Sequence, residues 1–202
     1  MQDELRYCLI TNLPENKDSD FSWKDFQQKN NNELVAILGN YINRVFVLCD
    51  KFFDKKVPKR SDDSADNKVF YELDDLKGKV ELSIQNFKFR EAMSYVIDVA
   101  RLGNKYLTDT EPWKIFKENP DRVKDIIHNS VQIVANISIL CEPFIPFTSK
   151  KIKELLNITD INWSNVSSSI VNAGHEISGK AHIFSKIEDQ AIEDQIKKLK
   201  LN

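Results

Sequence analysis

The chain has 202 residues, a formal net charge of −2, 41% hydrophobic side chains, 5 Gly, 6 Pro and an odd 3 Cys. That length and apolar content supply the core of one large domain or two small ones, and the scarcity of Gly and Pro favours helices over an all-β fold. The near-neutral balance excludes a nucleic-acid partner announced by global charge alone, the lack of an eighteen-residue apolar run excludes a membrane span, and the polar, charged start at 1–6 is not that of a signal peptide.

Residues 3–10 carry apolar side chains at alternate positions (Leu5, Tyr7, Leu9) and fit either a helix or a strand. Residues 12–20, with Pro14, read as a loop. Ser22 followed by Asp25 marks a helix start with an acid in its first turn. The polar run 27–32 then leads into the stretch that organises the chain, 34–53. There Leu34, Leu38, Tyr41, Val45, Leu48 and Phe52 recur three and four residues apart, one apolar stripe about 30 Å long. Beside the stripe sit Asn40 and Arg44. Residues four apart share a helix face, so this amide and guanidinium form either a solvated shoulder or a planar array of donors with one acceptor.

The helix must stop by Val57-Pro58. Lys51, Lys55, Lys56, Lys59 and Arg60 around its end suit a helix C-terminus and equally a phosphate backbone. Residues 61–67 read as an exposed acidic loop. Asp74-Asp75 is expected to start the next helix, with Leu76, Val80 and Ile84 in phase, and 86–89 to interrupt it. A further helix is expected over 89–107 on a stripe of Met93, Val96, Ile97 and Ala100, with Asn104 and Lys105 near its end. The run 108–113 (Thr-Asp-Thr-Glu-Pro-Trp) is expected to be a connector in which Pro112 biases Glu111 away from the helical region and holds Trp113 at a corner, tucked in or turned outward.

Pro120 suits the first turn of the following helix. Val123, Ile126, Ile127, Val131, Val134, Ile137 and Leu140 then form the strongest stripe in the chain, which marks the most buried helix. Pro143 and Pro146 break it, and Thr148 can cap a short helix ending near 155–156. Residues 157–179 read as irregular surface structure, 182–184 as a docking segment, and 188–201 as an amphipathic helix with Ile192, Ile196 and Leu199 in phase. Cys8, Cys49 and Cys141 lie within apolar periodic segments and read as buried thiols of a reducing cytoplasm. His128, His175 and His182 show no metal-ligand spacing, and His175 and His182 read as structural or solvent-facing. No repeat, Gly-rich phosphate loop, acid–base pair or nucleophile triad stands out.

Three stretches together resemble bacterial methionyl-tRNA synthetases: Asn-Asn-Asn-Glu-Leu-Val-Ala-Ile-Leu-Gly-Asn-Tyr-Ile-Asn-Arg at 30–44, Phe-Lys-Phe-Arg-Glu-Ala-Met at 87–93 and Asn-Lys-Tyr-Leu-Thr-Asp-Thr-Glu-Pro-Trp-Lys at 104–114. Residues 3–9 resemble the segment just after the family's catalytic core, and 183–190 the segment that closes its anticodon-binding domain. The catalytic signatures His-Ile-Gly-His and Lys-Met-Ser-Lys-Ser are absent, as is the zinc knuckle. The resemblance therefore implies an excised C-terminal anticodon-binding region in which Met1 is an expression start. The expected fold is all-α, an anticodon-binding bundle of about five main helices. Residues 1–20 would be the remnant of the link to the catalytic domain, 21–160 the bundle, and 161–202 an irregular extension with a terminal helix that packs on the bundle and couples it to the catalytic half.

By the same resemblance Asn40, Arg44 and Trp113 match the anticodon-recognition positions. Trp113 would stack a splayed-out base. Arg44 would donate to cytosine O2 and N3, and Asn40 would offer both a donor and an acceptor. Pro112 would position Trp113, and Asn43 and Asn104 would support the site, with capping of a neighbouring helix as their other role. Lys51, Lys55 and Lys56 would touch the stem backbone. The implied partners are a methionine tRNA with a CAU anticodon and the absent catalytic domain, with no membrane and no DNA. No cofactor is expected in this stretch, and ATP, magnesium and zinc belong to the full-length ligase. Two rivals are open: the same bundle from a class I synthetase for another large aliphatic amino acid or cysteine, and a non-enzymatic helical protein-interaction module.

Overall fold

A computed structural model describes residues 2–15, 18–61, 66–166 and 169–200. The ambiguous N-terminal segment is a helix, α1 (Gln2–Thr11), with Tyr7 and Cys8 buried. Next comes one unbroken helical path. Helix α2 (Trp23–Lys29) starts at Ser22, whose side chain accepts from the Asp25 amide as expected. It runs into a π-helical segment, Asn30–Gly39, and then into α3 (Asn40–Phe53). The 34–53 stripe is real, with Leu34, Leu38, Tyr41 and Val45 fully buried. Its first third is wider than an α-helix: the Asn40 amide reaches back to Val35 O as well as Ile37 O.

Helix α4 spans Asn67–Gln85, so the expected start at 74–75 is a correction. Val69 and Leu73 are buried and continue the phase of Val80 backward, which outweighs the acidic pair as a start signal. Phe87, at φ 59°, makes the tight turn into α5 (Phe89–Thr110). Residues 108–110 are therefore helical, and the expected six-residue connector shrinks to Glu111 alone. Glu111 takes the left-handed conformation (φ 41°, ψ 54°) before α6 (Pro112–Ile115) begins.

Helix α7 (Pro120–Leu140) is capped by Asn119, whose side chain accepts from the Arg122 amide. From Ile126 to Leu140 every residue is buried, including Asn129, Ser130, Gln132, Asn136 and Ser138. Three of them bond within the helix: Ser130 Oγ donates to Ile126 O, Asn136 Nδ2 to Gln132 O and Ser138 Oγ to Ala135 O. Helix α8 spans Pro146–Leu155. Thr148 is inside it rather than capping it, because the Thr148 amide donates to Asp3 Oδ2 of α1 at 2.5 Å. The cap comes from a residue distant in sequence, beyond the reach of local pattern reading.

The α2–π–α3 path with α4, α5, α7 and α8 gives the five main helices expected of an all-α bundle. Among its described residues the extension over 157–188 is irregular apart from a 3₁₀ turn at Trp163–Asn165 and one antiparallel bridge, Lys56 to Glu176. It is tied to α7 by Gln132, which accepts from the Ile170 and Val171 amides and donates to Val171 O. Helix α9 (Asp189–Lys200) follows, with Ile192 buried and Ile196 exposed. It contacts α2. The expectation for residues 62–65, and for the side chain of Leu199, lies outside what is described. All three thiols are buried, and burial pushes Cys49 up to about 12.

The crossing of α3, α5 and α7 is set at Tyr41. Its ring lies on Gly103, where an added Cβ would sit 2.2 Å from the ring carbon Cζ. Its hydroxyl donates to Ser130 O at 3.1 Å. Ala normally stabilises a helix interior relative to Gly. Here Gly103→Ala is expected to destabilise by about 1–3 kcal/mol, because a fully buried ring cannot step aside. Denaturant titration of the variant measures this.

Candidate nucleic-acid interface

Gly103 and Tyr41 bring Asn104 of α5 opposite Arg44 of α3, three residues beyond Tyr41. Arg44 Nη1 donates to Asn104 Oδ1 at 3.1 Å. The other end of the same amide donates to Ile37 O of the π-helical segment at 3.0 Å and to Ala100 O at 3.1 Å. Two carbonyls fix the NH₂ end, so the oxygen has to face Arg44. Asn104 thus joins a carbonyl of the widened helix to the Arg44 guanidinium and orients it. Asn104→Leu removes these contacts while keeping the branched shape of the side chain. An expected loss of about 1–2 kcal/mol, from the lost side-chain hydrogen bonds to Ile37 O and Ala100 O and the freed guanidinium, is measurable by thermal denaturation.

The Arg44 guanidinium carbon stands 5.5 Å from the centroid of the Trp113 ring. Trp113 is 40% exposed, so it is turned outward rather than tucked into the bundle. Its neighbours explain why. Pro112 is buried, and Phe116 stacks on Phe52 of α3 with ring centroids 4.3 Å apart and meets Phe53 edge-on. Those residues fill the corner and pin α6 to the end of α3, which leaves Trp113 as a flat surface beside a cation. The Phe52/Phe116 stack was not singled out from the sequence, although the Phe-Phe pair at 52–53 offered a signal.

Asn40 and Asn43 are exposed on the first turn of α3. Both line a cleft against residues 181–184 of the extension. Arg44 lies one turn beyond Asn40, so the structure assembles Arg44, Asn104 and Trp113 by contact and sets Asn40 and Asn43 beside them. Lys51 is exposed on the last full turn of α3, its ammonium 5.4 Å from the Phe52 ring centroid. Lys56 is exposed and paired through its backbone with Glu176. Lys55 is half-buried. It adopts φ 63°, and its carbonyl accepts from the Ile177 amide. Among the described residues no three of His, Cys, Asp and Glu stand together as a metal site, and no helix is long and apolar enough to cross a membrane.

Residues 57–200 match the family model for the anticodon binding domain of methionyl tRNA ligase, and residues 1–46 match that for class I (M) tRNA synthetases. Methionine–tRNA ligase of Cytophaga hutchinsonii is 50% identical over 98% of this chain and 29% of its own length. That of Bacteroides fragilis strain YCH46 is 46% identical over 98% of this chain and 30% of its own length. The chain therefore spans less than a third of the relatives it matches. The apo methionyl-tRNA synthetase of Mycobacterium tuberculosis superposes with a TM-score of 0.84 at 21% identity, covering 92% of this chain and 39% of that one, a likeness of fold.

Proposed function

The chain belongs to the methionyl-tRNA ligase family, and from that premise we propose that it reads the CAU anticodon of a methionine tRNA through Trp113, Arg44 and Asn40. The observation that carries the reading is the outward Trp113 with the Arg44 guanidinium 5.5 Å from its ring and Asn104 holding that guanidinium. A base stacked on the indole has its polar edge within reach of Arg44. Cytosine offers O2 and N3 as acceptors to a fixed donor. Uracil presents N3–H, a donor facing a donor, at a cost of about 1–3 kcal/mol when buried. Asn40, one turn away, supplies a donor and an acceptor. Pro112 positions Trp113, and Asn43 and Asn104 support the site.

The exposed Lys51 and Lys56 and the half-buried Lys55 would meet the stem backbone beyond the loop. Residues 21–160 form the reading bundle in this proposal, with 1–20 and 161–202 linking it to a catalytic part. The whole protein would be a methionine–tRNA ligase of the cytoplasm, esterifying methionine onto its tRNA with ATP. Sites for ATP, magnesium and zinc would lie in that catalytic part. The stretch described here would bind tRNA weakly and catalyse nothing, since it lacks the acceptor-stem contacts.

A CAU stem-loop carrying 5-iodocytidine at the first anticodon position tests the placement. Irradiation of the complex should crosslink the peptide that contains Trp113. A crosslink confined to another helix, or to no peptide while the RNA remains bound, would overturn it.

A further inference from the structure

We propose that His128 and Gln132 of α7 form a proton-sensitive latch, which holds the extension on the bundle and releases it when the imidazole takes up a second proton. The latch is independent of the anticodon reading. Both side chains are buried, His128 at 8% exposure and Gln132 at 0%. They lie one turn apart on the same helix face. His128 Nδ1 is 2.9 Å from Pro58 O, in the stretch between α3 and α4. A carbonyl only accepts, so Nδ1 carries the proton and the neutral ring leaves Nε2 bare. That bare nitrogen is 3.2 Å from Gln132 Nε2 and accepts one of its two N–H groups.

The other bonds of the Gln132 amide all go to the extension. Its second N–H donates to Val171 O at 2.7 Å, and its oxygen accepts from the Ile170 and Val171 amides at 2.7 and 2.9 Å. Two backbone N–H groups demand the oxygen on one side, and a carbonyl and a bare ring nitrogen demand the NH₂ on the other. A second proton on His128 sets N–H against N–H. Turning the amide over gives the ring an acceptor, but it faces the NH₂ with two N–H groups and the oxygen with Val171 O. No orientation of Gln132 therefore satisfies both a charged His128 and the extension. The clasped stretch continues against the backbone beside Pro58. Gly174 N donates to Val57 O at 2.8 Å, Val57 N to His175 O at 2.9 Å and Ile177 N to Lys55 O at 2.9 Å. One ring thus joins α7, the α3–α4 link and the extension.

The surroundings set the direction of the switch. Burial pushes His128 below its ordinary 6.5; the Pro58 carbonyl works against burial, Arg60 adds to it, and Asp125, three residues back on α7, offsets Arg60. Asp125 is itself engaged, accepting from the Ser61 amide and hydroxyl, both at 2.7 Å. Lys59, beside Pro58, is exposed. On the extension, the His175 ring is turned to Leu156 O, 2.7 Å from its Nε2. The released chain takes up the proton near 6.5 and the latched chain only at lower pH. The latch is therefore complete above that value, and its opening equilibrium rises by up to about tenfold for each pH unit below it, until the latched form is itself protonated. Most carboxylates titrate below this window.

Amide exchange by NMR on the whole chain, at about pH 7.5 and about pH 5.5, tests the latch when read as protection factors, which remove the intrinsic pH dependence of exchange. Ile170, Val171, Gly174 and Ile177 should lose roughly tenfold in protection at the lower pH and be less protected than the α7 core at both. His128→Gln offers Gln132 an acceptor that does not titrate, and it should abolish the loss. Gln132→Met should leave those amides weakly protected at both pH values, with the helical circular dichroism intact. Protection in the parent that stays within about twofold across the range, or a loss that persists in His128→Gln, would overturn the latch. So would extension amides that exchange only together with the α7 core. If His128→Gln does not fold, the ring nitrogens of the parent decide. Their ¹⁵N shifts at neutral pH should place the proton on Nδ1 and leave Nε2 bare, and a proton on Nε2 would overturn the latch.

Discussion

Replacing Trp113 with Ala is expected to weaken binding of a CAU stem-loop by roughly 5- to 150-fold, the equivalent of about 1–3 kcal/mol for one stacked base. The same substitution should leave the denaturation midpoint nearly unchanged. The packing of the α5–α6 corner rests on buried Pro112 and on the Phe116–Phe52 stack, with Trp113 already 40% exposed. Trp113→Phe should retain most of the affinity, since it keeps an aromatic face. Fluorescence anisotropy with a labelled stem-loop gives the affinities. A parallel fall in stability and binding would instead make Trp113 a packing residue.

The largest loss of stability is expected at Asp66, where the sequence suggested an exposed loop. Asp66 immediately precedes α4 and meets Arg122 of α7 through both carboxylate oxygens. It also accepts from Tyr106 Oη at 2.6 Å and from Asn129 Nδ2 at 3.3 Å. Its side chain is only 11% exposed, and that of Arg122 28%. Removing one member of a buried pair costs about 3–5 kcal/mol, and partial exposure reduces this, so Asp66→Ala is expected to cost about 2–4 kcal/mol. Burial pushes the Asp66 carboxyl up, but the hydrogen bonds from Arg122 and Tyr106 outweigh it and hold the group below its ordinary 3.8. Between that ordinary value and the lower folded one, the unfolded chain binds more protons. The contribution is therefore complete above pH 3.8 and is lost as pH falls through the folded value. Urea titrations of the parent chain and Asp66→Ala at neutral and acidic pH should converge as the pH drops. A gap that stays constant down to the acid limit would remove Asp66 from the pH dependence.

The apolar stripes at 34–53 and 120–140 were legible because burial imposes a period that single residues cannot hide. What local pattern missed was supplied by partners distant in sequence. The Thr148 amide is capped by Asp3 of another helix. The wide turns of Asn30–Gly39 lean on Asn104, and their outer face on the backbone of 185–187. Asp66 looked like part of a polar loop because its partners Arg122, Tyr106 and Asn129 come from two other helices. The seven-residue spacing of Arg122 and Asn129 on α7 was the available hint. In the candidate site, Asn40, Arg44 and Trp113 followed from family resemblance. The locked orientation of Asn104 and the filling of the corner by Phe116 arise from contacts between helices that no local pattern carries.

The measurement that bears most directly on anticodon reading is the ratio of affinities for a CAU and a UAU stem-loop at low salt, in the parent chain and in Arg44→Gln. If Arg44 reads the first base, the parent should prefer CAU by roughly 5- to 150-fold, from an unmatched donor pair worth about 1–3 kcal/mol. Arg44→Gln should then bring the ratio close to one with its helical circular dichroism intact. Equal affinity of the parent chain for the two loops would contradict the assignment of Arg44 and Trp113 to the first anticodon base.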